Sequence, residues 1–399
     1  IRWSALGISL IPLGLTVWAW LAFDHTSTST FQFEQQVAWF EAIHSSLHFG
    51  MDGISLMMVL LTTLLTPLAI LTAFNVKDHV KAFMILFLLL ETGMLGVFVS
   101  LDLLIFFVFW EIGLVPMYFL ISHWGGEKRN YASLKFILFT MGGSLGLLLG
   151  IQLLGALTGT FDLVTLLQVW PEMTEGVIFG IPNHIVRAII FWAFVIAFAI
   201  KVPVWPFHTW LPDAHTEAPT AGSMILAGVL LKLGAYGFLR LVLPLFPQEA
   251  HTFAIWLGVL AVAAIVFGAF SASGQKDFKR LVAYSSINHM GFVVLAIAAA
   301  AYVGGTTDPA LQQSATIAVS GAVLQMFNHG LTAAGMFFLV GVLYDRSHTR
   351  ILENFGGLYA ILPVYGSILL LVSMASLGLP GLNGFVSEFM IVRGTWPIF

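Results

Sequence analysis

The sequence predicts an all-α polytopic membrane protein with about eleven transmembrane helices. Hydrophobic residues make up 59% of the 399 residues and charged residues only 9%, whereas soluble domains carry about 25% charged residues. The mean hydropathy is +0.94. Apolar runs of about 20 residues recur along the whole chain, and each is long enough to cross a bilayer core of roughly 30 Å. A soluble fold is therefore excluded.

The apolar runs give the predicted bounds of the helices. They lie at 1–23, 51–74, 82–100, 103–121, 131–156, 185–210, 218–243, 252–271, 281–302, 314–344 and 358–393. We expect the polar stretch 24–50 to be a loop between the first two helices. The chain begins with Ile1 rather than methionine, and we expect both of its ends to be cut.

Charges in the connecting loops separate into two sets, as the positive-inside rule predicts. The loops 75–81, 122–130, 272–280 and 345–357 fall on one side and hold the basic residues Lys77, Lys81, Lys128, Arg129, Lys276, Lys279, Arg280, Arg346 and Arg350. The loops on the other side hold no Lys or Arg, and their acidic residues are Asp24, Glu34, Glu41, Asp162, Glu172, Glu175, Glu249 and Asp308. An error of one span would mix the two sets, so the segregation supports the span count. We expect the basic side to be cytoplasmic.

Composition also limits the chemistry. The chain has no cysteine, so it cannot hold an iron–sulfur cluster by thiolates. The net charge of -4 and the lack of a glycine-rich phosphate loop argue against nucleic-acid or nucleotide binding. His215 lies beside Asp213 and Glu217, but this spacing matches no strong zinc pattern, and we expect no metal site.

Six ionisable residues fall inside predicted spans, and they are Glu91, Glu111, Lys135, Lys201, Lys232 and Glu388. A charge at the bilayer centre costs about 2.5 kcal/mol or more, so each needs a partner, a water path or a function. Interhelical ion pairs are one interpretation, and a proton relay is the other. Four arginines lie near helix ends, where we expect them to reach the interface, and they are Arg2, Arg187, Arg240 and Arg393.

Two of the spans carry helix-breaking residues next to a charge. Lys201 precedes Pro203 and Pro206, so its ammonium should lie at the carboxyl end of a half-helix, where the helix dipole favours a cation. Glu388 follows the glycine- and proline-rich segment 378–384, so we expect it in the first turn of a new half-helix. Paired interrupted spans indicate inverted repeats with ion sites at the breaks, although simple packing kinks are the alternative.

Three histidines are further candidates for relay steps, because imidazole exchanges protons near its unperturbed pKa of about 6.5. They are His208, His289 and His329. Each could instead be a buried structural histidine, so we rank them below the lysines.

Several motifs resemble the antiporter-like subunits of respiratory complex I. They are LDLLIFFVFWEIGLVPMYFLISHWGG, KVPVWPFHTWLPDAHTEAPTAGSMILAGVLLKLGAYG, FKRLVAYSSINHMGF, FNHGLTAAGMFFLVGVLYDRSHTR and LPGLNGFVSEF. The LPDAHTEAPTAGS block is shared across the wider superfamily. The HGLTAAGMFFLVGVLYDRSHTR stretch is similar to the NuoM type, whose mitochondrial counterpart is NADH dehydrogenase chain 4.

The resemblance implies a fold of fourteen helices, of which eleven would be present, with two inverted five-helix repeats that each contain a discontinuous helix. It divides the chain into N-terminal helices over 1–81, a first repeat over 82–243 broken near 201–212, and an incomplete second repeat over 252–399 broken near 378–384. It also implies that Glu111 pairs with Lys201, that Lys232 is the bridging lysine and that Glu388 is the terminal residue of the path. His208, His289 and His329 would lie on a hydrated central axis, with Lys135 a weaker candidate.

The function implied by the resemblance is proton translocation by a non-redox subunit of a proton-translocating NADH:quinone oxidoreductase. NADH, FMN, iron–sulfur clusters and quinone would then bind to partner subunits and not to this chain. The partners would be NuoL- and NuoN-type neighbours in the bacterial cytoplasmic (inner) membrane, with no nucleic acid. Three alternatives stay open: a subunit of an Mrp-type cation/proton antiporter, the equivalent subunit of a membrane-bound hydrogenase or ferredoxin-linked photosynthetic complex, and a passive scaffold.

Overall fold

The computed structural model describes residues 1–27, 30–178 and 180–399. Its helices are α1 Arg2–Ala22, α2 Gly53–Thr72, α3 Val80–Val99, α4 Leu103–Ile112, α5 Leu114–Trp124, α6 Arg129–Thr158, α7 Leu163–Val169, α8 Asn183–Lys201, α9 Trp210–Glu217, α10 Thr220–Leu245, α11 Pro247–Ser273, α12 Phe278–Val303, α13 Pro309–Ser347, α14 Leu358–Ile361, α15 Pro363–Ser376 and α16 Asn383–Thr395. Its strands are β1 Gln32–Phe40, β2 Ser45–Met51, β3 Val177–Ile178 and β4 Ile181–Pro182.

The helices confirm the predicted polytopic fold. Among the described residues, 10 helices are long and apolar enough to cross a membrane, and α4 and α5 together form one of them. The eleventh predicted span, 358–393, consists mainly of two shorter helices, α15 and α16, on either side of a break. The sixth predicted span, 185–210, is helical only to Lys201. Both departures occur at the positions where proline and glycine predicted interruptions.

Contacts between loops agree with the predicted assignment of loops to two sides. On the acidic side, isolated β-bridges join Phe49 to Ser100 and Asp102 to Asp162. On the basic side, a β-bridge joins Asp277 to Ile351. Each bridge links residues that the alternating threading assigns to the same face, so the loop contacts and the charge segregation describe one topology.

The expectation of a loop over 24–50 was wrong for most of the segment. Strands β1 and β2 form an antiparallel hairpin on the acidic side. The hairpin is held to the bundle because the hydroxyl of Ser45 and the amide of Ser46 both donate to Oδ2 of Asp102 at 3.0 Å. The same carboxylate caps α4 by accepting from the amide of Leu104. The fold is therefore helical with a small β-hairpin at one end.

Helix α10 lies at the centre of the bundle, and its apolar window is entirely buried. It packs against α2, α8 and α13. Gly234 allows a close approach to α8, since a Cβ there would lie only 2.8 Å from the carbonyl oxygen of Phe198. Two π-helical turns, Leu226–Leu230 and Phe238–Val242, flank the turn that carries Lys232. Such turns are frequent at functional sites.

Candidate functional site

The first helix break places Lys201 at a helix end, as predicted. Helix α8 ends at Lys201, the chain runs without helix over 202–209, and α9 begins at Trp210. Pro203 and Pro206 supply no amide donors to continue the α8 ladder. Only 2% of Lys201 is exposed, so its amine lies in the interior of the bundle beside the carboxyl end of α8. The helix dipole favours a cation at this position.

The side chain of Lys201 has an unusual environment. Among the described residues, no hydrogen-bond partner reaches its Nζ, and none reaches Oε1 of Glu111. The amine lies 4.9 Å from the ring centroid of Trp110, which gives a cation–π contact. Trp110 is itself fixed because its indole donates to the hydroxyl of Ser144 at 3.0 Å.

The expected ion pair between Glu111 and Lys201 is therefore absent from the contacts of the described residues. The ring of Trp110, and not the carboxylate, lies against the ammonium. Glu111 is next to the point where α4 gives way to α5, and Gly113 follows at the junction. The carboxylate belongs to a segment whose helical geometry is interrupted.

Lys232 is fully buried on α10 and has two partners. Its Nζ donates to the carbonyl oxygen of Ala227 at 2.5 Å and lies 2.7 Å from Nδ1 of His329. An ammonium has no lone pair, so Nδ1 of His329 accepts when Lys232 is charged, and the ring proton then lies on Nε2. Nε2 of His329 is buried and has no partner among the described residues.

The second helix break separates α15 from α16. Gly378 and Gly381 have positive φ angles of 72° and 95°, which glycine adopts without strain. A Cβ on Gly378 would lie 3.0 Å from Oε2 of Glu388, so a larger residue there would require this carboxylate to shift. Glu388 lies in the second turn of α16, not the first, because α16 already begins at Asn383.

Glu388 accepts two hydrogen bonds. Nδ1 of His289 lies 2.8 Å from its Oε1, and Nε2 of Gln325 donates to the same oxygen at 3.0 Å. The other ring nitrogen of His289 lies 3.3 Å from the hydroxyl of Ser376. The hydroxyl of Ser387 in turn donates to Oε1 of Gln325 at 2.5 Å, so the amide is held in one orientation.

The two halves of this arrangement meet at the histidines. The ring centroids of His289 and His329 are 5.4 Å apart. These contacts form a row of four residues: Lys232, His329, His289 and Glu388. A hydrogen bond joins the first two and another joins the last two, whereas the two histidine rings are neighbours through a ring contact. The bundle also contains cavities. One of about 340 Å³ lies on the basic side, and one of about 510 Å³ lies beside His289 and Glu388. We call Lys232, His329, His289 and Glu388 the relay row.

The remaining predicted residues do not join the relay row. His208 is half-buried, and its Nδ1 has no partner among the described residues. Lys135 forms an ion pair with Asp213 at 2.7 Å, which agrees with the interpretation of an interhelical pair. Glu91 is 3% exposed, and its Oε1 likewise has no partner within the described chain.

The surroundings predicted from the sequence were wrong for three basic residues. Lys279 was assigned to a loop, but it is buried in the first turn of α12 and donates to the carbonyl oxygen of Ala218. Arg187 and Arg240 were expected to reach the interface. Both are buried because each has a carboxylate partner: Glu249 lies 2.6 Å from Arg187 and Asp52 lies 2.5 Å from Arg240.

Trp110 and Gln325 contact the proposed site residues and were missed. Gln325 precedes His329 by four residues on α13, so the two share a helix face, and this spacing could have drawn attention to it. No sequence signal marks Trp110 beyond its position next to Glu111. Among the described residues there is no group of three His, Asp or Glu side chains placed to hold a metal ion.

Comparisons with known proteins decide the family. A family described as NADH:quinone oxidoreductase/Mrp antiporter, TM, matches residues 100–398. The chain belongs to this family. It is 42% identical to NADH-quinone oxidoreductase subunit M of Rhodobacter capsulatus over 408 aligned residues, which cover 100% of this chain and 75% of the relative. The resemblance to the NuoM type is confirmed.

Solved structures of chains from complex I and from an Mrp complex have a similar fold. A chain of respiratory complex I from Thermus thermophilus with bound NADH has a TM-score of 0.85 and 29% identity, and covers 100% of this chain and 79% of that one. A chain of the Mrp complex from Dietzia sp. has a TM-score of 0.83 and 26% identity, and covers 100% of this chain and 41% of that one. The predicted all-α polytopic fold class is thereby confirmed.

Proposed function

We propose that this chain is a proton-translocating membrane-arm subunit of an NADH:quinone oxidoreductase, of the subunit M type. The observation that carries the proposal is the relay row, in which buried Lys232 and His329 and partly buried His289 and Glu388 line up across α10, α13, α12 and α16. Buried charges are costly in a membrane unless they serve transport or pair with one another. The kinship with subunit M supports a role for this row in proton transport coupled to quinone reduction.

The same kinship supports a set of partners. The chain would bind no redox cofactor itself, and NADH, FMN, iron–sulfur clusters and quinone would bind in other subunits of the enzyme complex. NuoL- and NuoN-type subunits would be its neighbours in the membrane arm. The loops with most of the Lys and Arg residues would face the cytoplasm of a bacterium, in accordance with the positive-inside rule.

The first step of the proposed mechanism involves Glu111 and Lys201. When Glu111 approaches Lys201, the carboxylate stabilises the ammonium. When the two separate, burial favours the neutral amine, so Lys201 releases a proton. The unpartnered Nζ of Lys201 and Oε1 of Glu111 correspond to the open arrangement. Quinone reduction in other subunits would act on this pair.

The second step passes the proton along the relay row. An ammonium at Lys232 gives its proton to Nδ1 of His329, and the proton on Nε2 of the same ring leaves toward His289. His289 takes up this proton on Nε2 and gives the proton on its Nδ1 to the Glu388 carboxylate, to which Nδ1 is hydrogen-bonded. This order keeps each ring neutral between transfers. His208 would be an accessory residue on the side of Lys201. Lys135 would be an accessory residue on the side of the basic face.

The two helix breaks support the proposed repeats. One break follows Lys201 and the other precedes Glu388, so each proposed repeat would contain one interrupted helix and one essential charge. We therefore propose 82–243 and 252–399 as the two repeats, with 1–81 as the N-terminal helices.

The test is to measure proton pumping in vesicles by variants of the assembled complex. We expect Glu111→Ala, Lys201→Ala and Glu388→Ala each to lose most NADH-driven proton pumping. Oxidation of NADH with an artificial acceptor at the flavin site reports that the complex has assembled. Lys276→Ala is a matched control, since Lys276 is 76% exposed at its side chain and forms only a surface pair with Glu353. Full pumping by any of the three variants would remove that residue from the mechanism.

A second candidate function is supported by the structural likeness to the Mrp complex chain. In this alternative the relay row would exchange a metal cation for protons without a redox partner. Sodium-dependent proton movement in vesicles that contain no NADH would favour it. Proton movement that requires NADH and quinone, with no effect of sodium, favours the subunit M function.

A further inference from the structure

A buried polar network lies on α10 between Lys232 and the acidic face. Tyr236 and Arg240 follow Lys232 at intervals of four residues, so all three point to one side of the helix. Tyr236 is 1% and Arg240 is 9% exposed. Neither residue belongs to the relay row, and the proposed function does not use them.

Arg240 is held by four groups from three parts of the chain. It forms an ion pair with Asp52 at 2.5 Å, and it donates to the hydroxyls of Tyr236 at 3.1 Å and Ser55 at 3.3 Å. The ring of Phe31 lies 5.0 Å from its guanidinium carbon. The hydroxyl of Tyr236 also donates to the carbonyl oxygen of Phe98 at 3.0 Å, which ties the network to α3.

Asp52 keeps this pair charged. Burial disfavours its carboxylate, but the neighbouring Arg240 guanidinium and hydrogen bonds from Ser55 outweigh the burial and hold the pKa of Asp52 below its ordinary value. Arginine does not lose its proton under physiological conditions. The acidic end of α10 therefore carries a permanent ion pair, of which the Arg240 guanidinium is the member on α10, and the phenol of Tyr236 lies between it and Lys232 in the sequence.

The basic side of the bundle is built differently. Two cavities of about 340 and 760 Å³ open there, and the charged residues Glu217 and Arg350 line both of them. Beyond Lys232 on the acidic side, the described residues instead present an ion pair packed against an aromatic ring. An arginine guanidinium fixed in the interior is one device by which membrane pores exclude protons and other cations.

We propose that Arg240, held by Asp52 and Tyr236, is an electrostatic barrier that prevents protons from leaking between the acidic face and Lys232. This inference rests on the proposed function of Lys232 in proton transport. The barrier would force protons to leave through Glu388, at the far end of the relay row. Arg240 is thus a residue that maintains coupling and does not itself carry protons.

The experiment measures passive proton conductance of the assembled complex in liposomes, without NADH, after a pH gradient is imposed. We expect Arg240→Gln to raise this conductance about tenfold, the change expected from removing one unit charge roughly 12 Å from the path in a protein interior. Arg240→Lys keeps the pair with Asp52, but a lysine can release its proton, so we expect a smaller increase. If Arg240→Gln does not assemble, Arg240→Lys decides the question.

Arg187→Gln is the matched control. Arg187 is also a buried arginine on the acidic side with a carboxylate partner, but it binds Glu249 and the carbonyl oxygen of Trp170, away from α10's polar face. We expect this variant to lose stability without gaining conductance. Equal conductance in wild type and in the assembled Arg240 variants would overturn the barrier, as would an equal leak in Arg187→Gln.

Lys232→Met separates this inference from the proposed function. Loss of NADH-driven pumping in Lys232→Met, together with no leak in Arg240→Gln, rejects the barrier alone. Normal pumping in Lys232→Met rejects the transport role of Lys232 itself. The double variant Arg240→Gln/Lys232→Met should leak less than Arg240→Gln, because the leak requires the lysine.

Discussion

Lys201 and Lys232 are both buried lysines beside an interruption of helical geometry, but their contacts differ. Lys232 has a carbonyl and an imidazole as hydrogen-bond partners, whereas Nζ of Lys201 faces a tryptophan ring and has no such partner within the described chain. A hydrogen-bonded ammonium is stabilised by fixed neighbours. In the proposed mechanism the charge on Lys201 instead depends on the approach of Glu111, so movement of the α4–α5 junction would act on Lys201 first.

The largest expected effect comes from replacing the unpartnered lysine by a cation that cannot release a proton. We expect Lys201→Arg to reduce NADH-driven pumping by about 100-fold, because the positive charge is kept while proton transfer is lost. Lys276→Arg is the control, since Lys276 is exposed and forms only a surface pair with Glu353. Pumping by Lys201→Arg at the wild-type rate would show that Lys201 supplies only charge.

A smaller effect is expected from interrupting the relay row. In His329→Gln, an amide replaces the ring that connects Lys232 to His289, and amides do not exchange protons near neutral pH. We expect pumping to fall by about tenfold, with the remainder carried by water. His208→Gln tests the comparison, because His208 has no contact with the row. A greater loss in His208→Gln than in His329→Gln would mean that the path runs along the other side of the bundle.

The smallest effect is expected at Gln325, which orients Glu388 and does not carry protons. Removing a hydrogen bond to a charged group costs about 1.5–3 kcal/mol, part of which solvent recovers. We expect Gln325→Ala to lower the number of protons pumped per NADH by a factor of roughly two to five. Gln312→Ala is the control, because Gln312 lies on the same helix and is exposed. Identical stoichiometry in both variants would contradict a role for Gln325.

Much of the fold could be predicted from the sequence. Hydropathy located the spans because a membrane requires long apolar helices, and prolines located the break after Lys201 because they remove amide donors. The hairpin of β1 and β2 was missed. Residues Gln32–Phe40 are mostly exposed, so no buried face imposes a clear alternation of polar and apolar side chains on that strand.

The site was predictable as a set of residues but not as a set of contacts. A charge in an apolar span is visible in the sequence, and this identified Lys201, Lys232 and Glu388. The partners were not visible, because they lie far away along the chain: His329 follows Lys232 by 97 residues, and Asp52 comes from a different helix than Arg240. The pairing of Glu111 with Lys201, which the resemblance implied, stays a prediction, because no hydrogen bond joins the two side chains among the described residues.

The complete enclosure of α10 has a consequence for biogenesis. A helix that carries Lys232 and Arg240 is poorly suited to stand alone in lipid, where each charge would lack the neighbours that now surround it. Its partners come from both directions along the chain, since α2 precedes it and α13 follows it. The surroundings of Lys232 are therefore complete only once α13, which supplies His329, has joined the bundle.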